Sequence, residues 1–118
     1  MKLLGIRYCT VSKQAQAIAD FLGPGGLGLS ERDMGTSDTF QGAVFPASDS
    51  SWVEIWPEME GFSAMTMLQV VVDDADAFAE HARKNGLSPK GPMDAHGERI
   101  YMLELPDGQQ ISFQSKLG

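Results

Sequence analysis

One pattern occurs twice in this chain of 118 residues: a strand-like run, a helix start, a short helix stopped by glycine, then further strand-like runs. Residues 3–11 place Leu4, Ile6, Tyr8 and Thr10 on one face, and Ser12 follows as the expected N-cap. Ala15, Ile18, Ala19 and Leu22 recur at helical spacing, with Phe21 at the edge of the stripe. Gly23-Pro24-Gly25-Gly26 ends that helix. Strands are expected near 27–33, 40–46 and 52–57, separated by the turn-rich segments Met34–Thr39 and Ala47–Ser51. After the polar connector Pro57–Ser63 the pattern restarts. Thr66–Val72 reads as a strand, and Asp73-Asp74 opens a helix with an acid where the macrodipole favours it. Ala75, Phe78, Ala79 and Ala82 form its apolar stripe, and Asn85-Gly86 stops it. Aligning Val11-Ser12 with Val72-Asp73 superposes both strand–helix units at an offset of 61 residues. The chain therefore reads as one α+β domain of two β-α-β-β-β modules, about 1–57 and 64–118.

The second module ends in a short strand near 90–94 and a hairpin whose pairing the sequence specifies. Pro106 presets φ and Gly108 accepts a positive φ, so Pro106-Asp107-Gly108 forms a three-residue turn between two strand-like runs. With Leu105 and Gln109 flanking that turn, Ser112 lies beside Met102 and Gln110 beside Glu104. Ile111 and Phe113 take one face; Gln110, Ser112 and Gln114 take the other. A greasy face and a mixed face suit a sheet with helices behind it and a cavity in front.

Charge and composition narrow the partners. A net charge of -7 argues against a nucleic-acid surface and against an anionic membrane. The single cysteine, Cys9, excludes an internal disulfide and fits a reducing compartment. One Lys and a short apolar run precede Arg7, which predicts no signal peptide. No segment approaches the roughly 20 apolar residues that cross a bilayer. The expectation is a soluble cytoplasmic domain.

The element order, with Val71-Val72-Asp73-Asp74-Ala75-Asp76-Ala77 opening module two and Leu105-Pro106-Asp107-Gly108 near the end, resembles the vicinal oxygen chelate superfamily. That superfamily includes glyoxalase I, bleomycin-resistance proteins, fosfomycin-resistance transferases and extradiol dioxygenases. The resemblance runs from Leu3 to Gln114 and implies a curved mixed or antiparallel sheet around a cavity. It also implies chains paired as a homodimer. In metal-dependent members a divalent ion is held by a His or Glu on the first strand of each module and a Glu on the last strand. The corresponding positions here are Ile6 or Tyr8, Glu54, Met67 and Ser112. Only Glu54 is a ligand suited to a hard cation, since a thioether and a neutral hydroxyl replace imidazole and carboxylate. No metal and no cofactor are expected.

The residues expected to line a cavity are Tyr8, Trp52, Glu54, Trp56, Met67, Gln69, Met102 and Ser112. Trp52 and Trp56 flank Glu54 on one face, where indoles suit planar or cationic ligands. Glu54 is either a general base or polar anchor, or a rim carboxylate paired with Arg7 or Arg99. Met65, Met67 and Met102 give an adaptable lining or plain core, and Gln69 needs a partner if buried. His81 reads as a surface residue of the second helix. Asp94, His96 and Glu98 read as a solvated turn, with metal binding or proton transfer as the sharper alternative. Cys9 reads as a small buried hydrophobe against the first helix. Three functions follow: metal-free binding of a cationic or aromatic small molecule, as in the bleomycin-resistance branch; a lyase, isomerase or dioxygenase with a displaced metal on Glu54 and His96 or Glu104; or a dimerisation domain. Glu54 is the catalytic candidate of the second.

Overall fold

The structure is a computed structural model and describes residues 1–33, 35 and 39–118. Met34, Thr36, Ser37 and Asp38, all in the expected turn 34–39, lie outside the described residues. The chain forms two compact units: one runs from Arg7 to Thr66, the other combines Met1–Ile6 with Met67–Gly118.

In the first unit, strand β1 (Leu3–Ser12) leads into helix α1 (Ala15–Leu22), followed by β2 (Ala43–Pro46) and β3 (Trp52–Pro57). β3 lies between its neighbours, parallel to β1 and antiparallel to β2. Helix α1 buries Ala15 and Ala19 against Ala43, Phe45 and Ile55, with Ile18, Leu22, Phe40 and Val53 packed around them. Two alanines one helical turn apart allow close approach of helix to sheet. Gly23 ends the helix, its N–H donating to Ala19 O.

Two expectations fail here for local reasons. Ser12 is not the cap: it still belongs to β1, and its Oγ accepts from Gln14 N–H at 3.0 Å. Gln14 takes the cap position without a side-chain bond. Residues 27–33 form no strand. The N–H groups of Leu27, Gly28 and Leu29 turn back onto Phe21 O, Gly23 O and Leu22 O at the end of α1. Donors used this way are withdrawn from a ladder. Arg32 N–H still reaches Val44 O at 2.7 Å on the edge of β2.

The second unit contains β4 (Met65–Val72), helix α2 (Ala75–Lys84), β5 (Lys90–Ala95), β6 (Glu98–Glu104) and β7 (Gln110–Lys116), in the order β4-β7-β6-β5. β4 and β7 are parallel and the other pairs antiparallel. The hairpin has the expected pairing, Met102 with Ser112 and Glu104 with Gln110. Leu105 N–H closes the turn on Gln109 O at 2.8 Å, and Gly108 adopts φ +91°. Helix α2 starts sharply because Asp74 accepts from Ala77 N–H and Ser115 Oγ accepts from Ala75 N–H. Ala75 and Ala79 pack with Val72, Tyr101 and Phe113. The Tyr101 and Phe113 rings stack at 5.2 Å, and Tyr101 OH donates to Asp76 Oδ1. Arg99 then ties Asp76 to Asp94. Among the described residues no helix is long and apolar enough to cross a membrane.

The buried alanine pairs set the repeat at 60 residues, Ala15 and Ala19 answering to Ala75 and Ala79. The expected offset of 61 is one too many. A slip of one residue in a strand moves every side chain to the opposite face. That slip decides where Tyr8 goes.

Candidate functional site

Each unit has a sheet face that its helix does not cover, and the registers identify it. In the first unit Arg7 pairs with Trp52, Cys9 with Glu54 and Val11 with Trp56, so these six share the helix-free face. Tyr8 pairs with Val53 and therefore stands on the helix side, 46% exposed. The structure brings Trp52, Glu54 and Trp56 together and does not bring Tyr8 to them. Arg7 and Cys9 occupy the place expected for Ile6 or Tyr8. Cys9 is buried, as expected, but against Glu54 rather than α1.

The first unit's face is a polar cluster built around one indole. Trp52 Nε1 donates to Glu54 Oε2 at 3.0 Å. The Arg7 guanidinium, 6% exposed, stacks on the Trp52 ring at 3.6 Å and donates through Nε to Ser50 O at 3.2 Å. Burial pushes the Cys9 thiol up to about 12, with the Glu54 carboxylate adding to the rise. A thiol so disposed stays protonated and is a poor nucleophile or ligand. Trp56 is fixed differently: a Cβ on Gly42 would lie 2.2 Å from its ring, and Gly42 holds φ +122°. Glycine is the residue that suits both demands.

The expected cationic ligand meets an obstacle here. Arg7 already lies on Trp52, and Arg32 stands 4.9 Å from the same ring. The ring face that would attract a cation is occupied by the chain's own guanidinium.

In the second unit the helix-free face carries Met67, Gln69 and Val71 on β4, beside Gln110, Ser112 and Gln114 on β7, with Met102 on β6. Met67, Gln69, Met102 and Ser112 thus share a face as expected. Ser112 is 2% exposed and its Oγ donates to Gln114 Oε1 at 2.7 Å. Gln114 Nε2 donates to Glu98 Oε1 at 3.4 Å. Gln69 Nε2 lies 4.0 Å from Met67 Sδ. Gln114 was not among the expected lining residues, although alternation along β7 puts it beside Ser112.

The loop residues have structural tasks. His96 and Gly97 adopt φ 54° and 75° in the tight turn joining β5 to β6, and His96 is exposed. Asp94 is held by Arg99, with Nε to Oδ1 at 3.1 Å. His81 is exposed on α2.

These donors do not fit the divalent ion that the resemblance implies. On the first unit's face Glu54 has a guanidinium and a protonated thiol as companions. On the second unit's face the corresponding atoms are a thioether sulfur and a hydroxyl already donating to an amide. Among the described residues no three His, Cys, Asp or Glu side chains are grouped to share an ion.

No family model matches the chain, and no curated protein matches it in sequence. Solved structures do. A glyoxalase/bleomycin resistance protein/dioxygenase superfamily member from Vibrio splendidus 12B01 superposes with TM-score 0.66 at 13% identity, covering 98% of this chain and 100% of that one. Methylmalonyl-CoA epimerase from Mycobacterium tuberculosis gives TM-score 0.65 at 17% identity, covering 98% and 88%. A catechol 2,3-dioxygenase gives TM-score 0.65 at 14% identity over 98% of this chain and 42% of its own. With two helices and seven strands among the described residues, and matches that take in nearly all of this chain, the chain has the α+β vicinal oxygen chelate fold of the glyoxalase and dioxygenase superfamily.

Proposed function

We propose that this protein binds a small molecule on a helix-free sheet face and does so without the metal site of the enzymes that share its fold. The observation that carries the reading is the half-buried Trp52 indole, held on its edge by Glu54 and on its face by Arg7. An aromatic surface fixed by a carboxylate and a guanidinium loses little freedom when a ligand settles on it. Trp56, locked against Gly42, offers a second such surface on the same face. The second unit has its own open face, where Met67, Gln69, Met102 and Ser112 supply adaptable and polar contacts. An epimerase and a dioxygenase of the same fold act on small molecules, which favours the class without naming the ligand.

A homodimer is part of this proposal. Leu4, Ile6 and Tyr8 lie 48%, 52% and 46% exposed along one side of β1, an apolar row that a second copy would cover. A cytoplasmic location fits the single buried Cys9, and the net charge of -7 speaks against nucleic acid and anionic membranes.

Titration of planar aromatic compounds against tryptophan fluorescence tests the binding reading, with Trp52→Phe and Trp56→Phe variants assigning the response. Saturable quenching lost in one variant is expected. Elemental analysis of protein purified without chelator decides the rival. Stoichiometric zinc, nickel, manganese or iron that disappears in Glu54→Gln would replace the metal-free account with a metalloenzyme.

A further inference from the structure

Arg32 reaches Trp52 from beyond the edge of the sheet. Its backbone N–H donates to Val44 O at 2.7 Å on β2. The register sets Val44 beside Glu54 and Pro46 beside Trp52, all on the helix-free face of the first unit. From that edge the Arg32 side chain extends over β2 until its guanidinium carbon lies 4.9 Å from the centre of the Trp52 ring. The other guanidinium at this ring is of a different kind. Arg7 is 6% exposed, lies 3.6 Å from the centre and is bonded to Ser50 O, so it belongs to the framework. Arg32 is exposed, and among the described residues no acid forms an ion pair with it.

The contact with the ring is therefore what holds the Arg32 guanidinium in place. At an exposed position such a contact is weak and readily exchanged. It also shows what this side of the indole accepts, which is a planar cation with delocalised charge. Glu54 supplies the counter-charge, accepting from the indole N–H at 3.0 Å. Glu31 and Asp33 are exposed on either side of Arg32 and add two further carboxylates to its surroundings. The net charge of -7 favours the approach of a cation as well.

We infer that Arg32 occupies the ligand's own place on Trp52, and that the ligand is a planar cation, an amidinium or guanidinium on a small organic frame, which binds by displacing it. The inference rests on the small-molecule reading above and adds to it the ligand's charge and an internal competitor. The chain's own guanidinium is then an obstacle that a ligand of the same chemistry can exchange with. A carboxylate would meet the negative face of the indole and the Glu54 carboxylate beside it. A neutral ring would lack the attraction that keeps Arg32 there.

The test uses the full ¹⁵N-labelled chain and three probes of one shape: benzamidine, its neutral counterpart benzamide, and benzoate. Benzamidine is expected to shift the Trp52 indole N–H signal saturably, while the Arg32 Nε–H signal moves to the position of an unstacked arginine. Benzamide and benzoate should bind there roughly tenfold more weakly. Arg32→Gln removes the competitor and should tighten benzamidine binding roughly two- to fivefold, the worth of one exposed guanidinium on a ring. Arg32 is exposed, so the change does not threaten the fold. If Arg32→Gln leaves benzamidine binding unchanged or weakens it, or if the Arg32 signal stays in place as benzamidine saturates, the internal competitor is refuted while small-molecule binding survives. Benzamide or benzoate binding at Trp52 as tightly as benzamidine, or a response at Trp56 alone, refutes the planar cation and leaves the binding reading standing. If no probe moves either indole in the parent or in Arg32→Gln, both readings fall together.

Discussion

The two modules share a plan and differ in chemistry on the face their helices leave open. In module one that face gathers Arg7, Cys9, Trp52, Glu54 and Trp56, two of them charged. In module two the matching face presents Met67, Gln69, Met102, Ser112 and Gln114 at its centre, with the carboxylates Glu98 and Glu104 toward the two ends of β6. The helix-covered faces, by contrast, are alike: alanines at Ala15 and Ala19 or Ala75 and Ala79 let a helix settle on aromatic and branched side chains. Such burial, at about 25 cal/mol per Å² of apolar surface, holds each module together. The open face is then at liberty to diverge, and on the function proposed above it is the face that meets the ligand.

The strongest way to break this contrast is to remove the central acceptor from each face. Glu54→Leu would leave the Trp52 indole N–H and the Cys9 thiol facing hydrocarbon beside a buried guanidinium, and should cost about 3 kcal/mol or more. Gln114→Leu strands only the Ser112 hydroxyl and one Glu98 contact and should cost about 1–2 kcal/mol. Urea unfolding of both variants gives the comparison. Equal losses would mean that the charged character of module one contributes nothing beyond ordinary hydrogen bonding.

The pH profile sharpens the same contrast from two sides. Cys9 in module one is pushed up to about 12 from an ordinary value near 9, first by burial and then by Glu54. The unfolded chain therefore gives up a proton that the folded chain keeps, and the stability this group contributes declines as pH rises from about 9 toward 12. Tyr101 in module two, raised above 10 chiefly by its bond to Asp76, adds an alkaline slope of its own. Cys9→Ala separates the two and should flatten the part that begins nearer 9. On the acid side the sign reverses. The Tyr101 hydroxyl, and then Arg99, hold the Asp76 carboxyl below its usual range. Its contribution is present above the ordinary carboxylate value and is lost as pH falls through the lowered folded value. Asp76→Asn should remove that acid dependence, read from urea midpoints between pH 5 and pH 2. An unchanged acid limb would show that Asp76 does not anchor α2.

Module two was the more legible in the sequence, and the reasons are local. Pro106-Asp107-Gly108 sets hairpin pairing by turn geometry alone, so the neighbours of Ser112 and Gln110 follow from counting. Asp73-Asp74 and Asn85-Gly86 mark both ends of α2 with residues whose side chains or backbone freedom do the marking. Module one offers Ser12, which looks like a cap and serves β1 instead. Its residues 27–33 look like a strand, yet their first N–H groups are used at the end of α1, a tertiary matter that periodicity does not encode. Of the expected lining residues, Tyr8 is the one that the strand register puts on the helix side. A repeat of 60 residues makes Arg7 and Cys9, rather than Ile6 and Tyr8, the positions that answer to Met67 and Gln69. Trp52, Glu54 and Trp56 needed no alignment, because alternation within one strand already puts them together.

The smallest effect separates the helix starts themselves. Asp74 has extended backbone angles and accepts from Ala77 N–H at 3.1 Å, satisfying one of the donors that a helix start leaves open. Gln14, the cap of α1, makes no such bond, and its φ of -100° with ψ 23° is not the extended geometry a capping side chain uses. Asp74→Ala should therefore cost about 1 kcal/mol, whereas Gln14→Ala should change stability by no more than about 0.3 kcal/mol. Thermal unfolding of the two variants beside the parent resolves a difference of this size. A loss at Gln14 equal to that at Asp74 would require α1 to have a cap in solution that its backbone angles do not accommodate, and the asymmetry between the modules would then be confined to their open faces.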